Sequence, residues 1–192
     1  SVIGHSWGGH VASNLAARHP HRVNSLIMID GGFQDGHLLP DPTEHSFRER
    51  FRPRDVSGDK EEFLTRLKEQ LANCWGDDLE KIVLSMVYEN GRGLMEDILR
   101  PAQHSQILTS MWNEPPSTVI SRVNCPMLIV PAGPRPERAH TEFSRMREVM
   151  LGAAVNVAKD VQVEWVMDTI HDIGYDKPAK LAEIILHFLD EQ

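Results

Sequence analysis

The sequence has little cysteine. Only Cys74 and Cys125 occur in 192 residues, so no disulfide framework is encoded. Isolated thiols fit a reducing compartment, and the expected location is the cytoplasm. Long apolar runs are missing too. The longest, at residues 25–29 and 127–130, are strand-sized and far short of the roughly 20 residues that span a bilayer. There is neither a basic stripe nor a block of like charge, and the formal net charge is −8. Nucleic acid and anionic membranes are therefore poor partners. No phosphate loop or Gly-x-Gly-x-x-Gly fingerprint occurs, and no Cys/His cluster has zinc spacing. The expectation is a protein that needs neither cofactor nor metal. No signal-peptide pattern, internal repeat or low-complexity segment is visible. What is present is a globular balance, 41% hydrophobic and 25% charged, in a length that suits one domain. Eight methionines suit irregular cores and pockets.

Along the chain, Ser1-Val2-Ile3-Gly4 reads as the end of a strand, followed by a helix over residues 10–19 that stops at Pro20. Residues 25–29 (SLIMI) form a continuous apolar run closed by Asp30-Gly31-Gly32. Such a run, bounded by turn residues, predicts a strand buried on both faces of a parallel sheet. Residues 33–53 read as a loop. Helices are predicted at 61–75, with Asp59 as N-cap, at 79–88 and at 104–112. Gly91-Arg92-Gly93 breaks the second, and Pro115-Pro116 ends the third. The alternation then resumes with a strand at 126–130 (PMLIV), a helix at 137–158 and a strand at 161–166 (VQVEWV). A loop at 167–175 and a terminal helix at 179–189 complete it. In the middle helix Phe143, Met146, Val149 and Met150 recur at helical spacing. Alternating strands and helices predict an α/β fold, a mostly parallel sheet with helices on both faces. The mostly helical stretch between is the size of an inserted cap.

Gly4-His5-Ser6-Trp7-Gly8 matches Gly-x-Ser-x-Gly between a strand and a helix, the context that gives this motif meaning. So tight a strand-to-helix turn holds its central residue in a strained conformation, and Gly4, Gly8 and Gly9 supply room. It lifts the Ser6 hydroxyl clear of the sheet. The Trp7 backbone N–H, at the helix N-terminus, is then a donor to an oxyanion. Serine needs a neighbouring base. His171 lies in the loop after the last strand, in Thr169-Ile170-His171-Asp172-Ile173-Gly174, at the sheet edge where ligands bind.

GHSWGG, SLIMIDGG, CPMLIVPAG and HDIGYDKPAKLAEIILHFL, in that order, resemble the α/β-hydrolase superfamily, and within it the esterase-like, lid-bearing members with a serine nucleophile. The resemblance runs from residue 1 to 192. It implies an α/β-hydrolase core at 1–32 and 123–192 and a helical cap over the active site at 33–122. It also implies Ser6 as nucleophile and His171 as general base, in the chain order of that family. Members with an aspartate nucleophile are disfavoured, because Ser6 holds that position.

The acid stays open. In the family it usually follows the penultimate strand, but here Pro131-Ala132-Gly133-Pro134-Arg135-Pro136 lacks an aspartate and Glu137 is the adjacent carboxylate. Asp30 is the other choice and the favoured one, because a strand-end carboxylate is held rigidly. Asp172, beside the base, points elsewhere; Asp168 and Asp176 are weaker still. His5, His104 and Trp112 are pocket-lining candidates, with Trp7, Met111 and Met95 beside them; for the Met and Trp residues core packing is the stronger reading.

Two functions compete. One is a serine esterase, acting on a small acyl substrate through a Ser-His-acid triad. The other is a non-catalytic relative that binds ligands or proteins. The first strands of the family sheet, and the loop giving a second oxyanion donor, precede the elbow. The expectation is therefore that this chain is not active alone, and that a longer natural protein or a second chain completes the sheet.

Overall fold

The apolar runs that read as buried strands pair with each other at the centre of the sheet. The computed structural model describes residues 1–53 and 55–192. In chain order its elements are β1 (Val2–His5), α1 (Trp7–Arg18), β2 (Leu26–Ile29), α2 (Glu44–Arg50), α3 (Lys60–Gln70) and α4 (Asp77–Leu84). There follow β3 (Val87–Glu89), β4 (Met95–Asp97), α5 (Pro101–Asn113), α6 (Pro116–Ile120) and β5 (Met127–Val130). The chain ends with α7 (Glu142–Val157), β6 (Val161–Val163), α8 (Ile173–Asp176) and α9 (Pro178–Asp190). Single 3₁₀ turns stand at Pro20–Arg22, Gly36–Leu38 and Pro136–Arg138.

The chain divides into two compact units, Ser1–Phe47 with Ser110–Gln192, and Arg48–Thr109. In the first, four parallel strands lie in the order β1-β2-β5-β6. Every residue of β2 and β5 is buried, which is why neither alternates polar with apolar. Ile27, Ile29, Leu128 and Val130 pack with Leu181, Ile184 and Phe188 of α9. Side chains alternate across a strand, so Leu26 and Met28 face the other side. There α1 packs on β1 and β2, bringing the buried Ala12 and Ala16. Each such Leu, Ile or Met is worth about 1.5–3 kcal/mol of burial. Strand register fixes the site: Val2 is opposite Leu26 and Leu26 opposite Met127, so β1 and β2 end side by side at Ser6 and Asp30.

The second unit has a smaller core of Phe63, Val87 and Met95, flanked by half-buried Val56, Leu64, Leu67 and Leu84. Its α3 starts at the expected Asp59, which accepts from the Glu62 N–H at 3.0 Å while the Glu62 carboxylate accepts from the Asp59 N–H at 3.2 Å.

Several expectations are corrected. Residues 33–53 contain α2, whose Phe47 is fully buried. The helix read at 79–88 ends at Leu84, and Val87–Glu89 instead pairs antiparallel with Met95–Asp97. Gly91 and Gly93 belong to the turn of that hairpin. Helix α6 was not foreseen, because Pro115-Pro116 reads as a stop, yet Pro116 opens it; proline is at home in a first turn. The helix at 137–158 begins only at Glu142, and Phe143 and Val149 are exposed while Met146, Met150, Leu151 and Ala154 are buried. Apart from these corrections, the second unit, Arg48–Thr109, lies within the stretch 33–122. Phe33, Phe47 and Trp112 belong to the first, where Phe47 and Trp112 make ring contact at 6.1 Å. Among the described residues no helix is long and apolar enough to cross a membrane.

Candidate active site

Ser6 stands between β1 and α1 at φ 55° and ψ −126°, a region L-residues avoid. Such strain costs about 1–3 kcal/mol and persists only when the surroundings over-determine it. They do here. The Ser6 N–H donates to Ile29 O at 2.9 Å, and Ser6 O accepts from the Gly9 N–H at 3.0 Å. A Cβ on Gly4 would lie 2.1 Å from Gly8 O, and one on Gly31 would lie 1.9 Å from Ser6 O. Gly8, grouped with Gly4 in the sequence reading, has open space at its own Cβ position. The tight neighbour that reading missed is Gly31, on the loop after β2.

A serine before a helix ordinarily turns its hydroxyl onto the helix's first N–H groups, worth about 1 kcal/mol. Ser6 makes no such bond. Its Oγ lies 2.8 Å from His171 Nε2. Trp7 opens α1 directly after Ser6, and its N–H has no carbonyl to reach within the helix.

His171 is carried by the loop between β6 and α8, which is stapled in place. Thr169 Oγ1 donates to Asp176 at 2.8 Å, Lys177 Nζ donates to Met167 O at 2.8 Å, and the Thr169 N–H reaches Gly133 O at 3.2 Å. His171 Nδ1 lies 2.6 Å from Asp30 Oδ2. Asp30 ends β2 at φ 42° with its side chain only 3% exposed. Its other oxygen, Oδ1, accepts from the Ala132 N–H at 2.7 Å and from the Arg147 guanidinium. Burial works to lower the His171 pKa, but the hydrogen bond and charge of Asp30, with Asp172 behind, outweigh it and hold the imidazole above its ordinary value. Arg147 pulls the other way.

His5 is a near neighbour of the ring. Its Nε2 lies 3.1 Å from His171 O, and the two ring centroids are 4.8 Å apart. A hydroxyl, an imidazole and a buried carboxylate in hydrogen-bonded series can carry a proton off the hydroxyl while the carboxylate holds the ring.

The α/β-hydrolase fold family matches residues 1–85. By structure the chain is similar to an E-2-(acetamidomethylene)succinate hydrolase, with TM-score 0.69, 19% identity and 98% of this chain on 66% of that one. It is similar to the peroxisomal α/β-hydrolase Lpx1 of Saccharomyces cerevisiae, with TM-score 0.65, 16% identity and 98% of this chain on 53% of that one. An M. tuberculosis esterase gives TM-score 0.62, 18% identity and 98% of this chain on 61% of that one. This chain has the α/β-hydrolase fold. It spans less than two thirds of the length of these three relatives. No curated protein matches it by sequence.

The remaining sequence-derived residues of this chain fall outside that constellation. Glu137 is exposed on a one-turn helix, whereas the His171 Nδ1 is taken by Asp30. Asp168 is exposed, and Asp176 holds Thr169. The exposed Trp7 side chain stands on the first residue of α1. His104 belongs to the second unit, where burial lowers its pKa and Asp97 works against that shift. Trp112 stacks on His37, ring centroids 4.0 Å apart. Met95 is a core residue of the second unit, and Met111 is buried in the first. Among the described residues no group of three His, Cys, Asp or Glu is placed to hold a metal ion.

The sequence reading also missed Arg147. The signal was present, because Arg147 falls among Met146, Met150, Leu151 and Ala154, on the buried stripe of α7. An arginine there needs an acidic partner.

Proposed function

We propose that this chain carries the catalytic residues of a serine hydrolase acting on a carboxylic ester or related acyl substrate. The observation behind this reading is the unbroken hydrogen-bonded series from Ser6 Oγ through His171 to Asp30, at 2.8 and 2.6 Å, built on a strained serine. The similarity to hydrolases, an esterase among them, supports the same class. A serine at the elbow with an imidazole on its hydroxyl suits acyl transfer.

Each residue then has one task. Ser6 Oγ attacks the acyl carbonyl carbon as His171 Nε2 takes its proton. The carbonyl oxygen becomes an oxyanion, and the Trp7 N–H donates to it. The intermediate collapses, the bond to the alcohol oxygen breaks, and His171 returns the proton to that leaving group. Water enters, gives its proton to His171, and its oxygen attacks the acyl-Ser6 carbonyl. Ser6 leaves with the proton and the carboxylic acid departs. Asp30 keeps Nδ1–H donating to it throughout and stabilises the imidazolium without itself being protonated.

The test is hydrolysis of short p-nitrophenyl esters by the full-length natural protein and by its Ser6→Ala variant. Wild-type turnover with trapping of an acylated Ser6 peptide, and loss of turnover by at least about a thousandfold in Ser6→Ala, is the expected result. Turnover that survives Ser6→Ala would sink the assignment. A wild-type protein that neither turns over nor acylates would favour the non-catalytic binding reading.

A further inference from the structure

We propose that Arg147 is a positioning residue for this site, clamping the Asp30 carboxylate in the orientation His171 needs. The inference rests on the serine-hydrolase reading and extends it to a side chain on a different element, α7.

The geometry is a closed ring of three hydrogen bonds. Arg147 donates through one nitrogen to Asp30 Oδ1 and through the other, at 3.1 Å, to Ala132 O. The Ala132 N–H donates to the same Oδ1 at 2.7 Å. The guanidinium fork thus ties the Asp30 side chain to the backbone just past β5. With Oδ1 held by two donors, Oδ2 is left to the His171 Nδ1 at 2.6 Å. The Arg147 side chain is itself only 13% exposed, and the rings of Phe33 and Phe143 each lie with their centroids 6.0 Å from its guanidinium carbon. It is a fixed part of the wall rather than a mobile surface cation.

Two features of Asp30 call for such a clamp. Its carboxylate is buried and charged, and a buried charge is tolerated only with a counter-charge and full hydrogen bonding. Its backbone sits at φ 42°, a conformation that persists only under external restraint. Lysine could supply the charge. It could not reach Ala132 O and Asp30 Oδ1 together with a planar fork.

A merely structural ion pair would change stability alone, so the test reads catalysis and its pH dependence. The charged and titratable groups around His171 are Asp30 and Asp172, which favour its protonated form, Arg147, which opposes it, and the His5 ring. Removing the Arg147 charge leaves Asp30 and Asp172 less opposed. His171 then holds its proton to higher pH, and the acid limb of kcat/KM moves up.

The experiment compares Arg147→Met and Arg147→Lys with wild type, all in the full-length natural protein, in ester hydrolysis across pH. Arg147→Met is expected to lose about 10- to 100-fold in kcat, the scale of one charged hydrogen bond, with KM little changed and the acid limb raised. Arg147→Lys is expected to keep the acid limb near wild type and still lose part of kcat, because the charge remains and the fork is gone. A folded Arg147→Met with wild-type kcat and acid limb overturns the proposal. If Arg147→Met does not fold, wild-type kcat in Arg147→Lys overturns it equally. An inactive wild-type protein would instead sink the serine-hydrolase reading, so the two failures are distinguishable.

Discussion

The two units of this chain are built to different standards of constraint. In the first, β2 and β5 are buried along their whole length, and the residues that follow β1 and β2 are held in conformations that side chains resist: Ser6 at φ 55° and Asp30 at φ 42°. In the second, the described cluster of Phe63, Val87 and Met95 is small and is flanked by half-buried residues. Its hairpin strands are three residues each and mostly exposed or half-buried. Strain can be held only where surrounding contacts outweigh it, so a serine poised for attack belongs on the first kind of scaffold. The contrast predicts that equivalent insults have unequal consequences in the two units.

Glycine substitutions should show the largest difference. Gly31→Ala puts a Cβ 1.9 Å from Ser6 O, against backbone that cannot yield. It should abolish activity and cost at least about 3 kcal/mol in stability. Gly91→Ala, in the hairpin turn of the second unit, meets nothing within 4 Å, and its unfolding free energy from urea titration should stay within about 0.5 kcal/mol of wild type. A soluble, active Gly31→Ala would contradict the close approach.

Next in size is Asp30→Asn. It keeps the shape of the site and removes the charge facing His171. A loss on the order of 10⁴-fold in kcat is expected. The pH profile adds a sign. The general base works only when neutral, so activity rises as His171 loses its proton, and the raised pKa places that limb above the ordinary imidazole range. Burial alone would lower it; Asp30 supplies the opposing hydrogen bond and charge. Asp30→Asn should therefore move the residual acid limb down, and a limb left in place would mean that Asp30 does not govern the base.

Phe63→Ala removes the largest side chain of the smaller core, at a cost of about 3–5 kcal/mol. Hydrogen exchange should show amides of α3, β3 and β4 losing protection while those of β2 and β5 keep theirs. Equal loss in both units would end the comparison between them.

The smallest effect concerns His10, on α1 and 3% exposed. Neither ring nitrogen has a hydrogen-bond partner among the described residues. Burial lowers its pKa, and Glu114 only partly counteracts that. Its folded-state value therefore lies below its unfolded one. The unfolded chain takes the proton first, and stability falls as pH drops below about 6.5 toward the folded value. Thermal melts of His10→Leu should lose that part of the acid sensitivity. An unchanged pH dependence of Tm would assign the sensitivity to other groups.

The same contrast explains what could be read from the sequence. SLIMI and PMLIV announce themselves because a strand buried on both faces has no polar alternation to blur it. The elbow glycines and the position of His171 are local features as well. The hairpin from Val87 to Asp97 is not legible, since three-residue strands continue the spacing of the preceding helix and gain their partner only by pairing. The choice between Asp30 and Glu137 was beyond spacing arguments, because both satisfy the chain order and only the path of the chain decides which one meets the imidazole. The place of Arg147 on the buried stripe of α7 was legible, but its partner was not, because Asp30 lies 117 positions away. Gly31 could not be told from Gly32 until the approach of Ser6 O was known.

The central claim is that Ser6 is a nucleophile activated by His171. Its most direct test is reaction of the full-length natural protein with a fluorophosphonate probe, with the adduct located by peptide mass spectrometry. The account predicts a single phosphonylated peptide containing Ser6, labelling that rises with pH as His171 becomes neutral, and none in Ser6→Ala. An adduct on another residue, or no adduct where His171 is neutral, would contradict it.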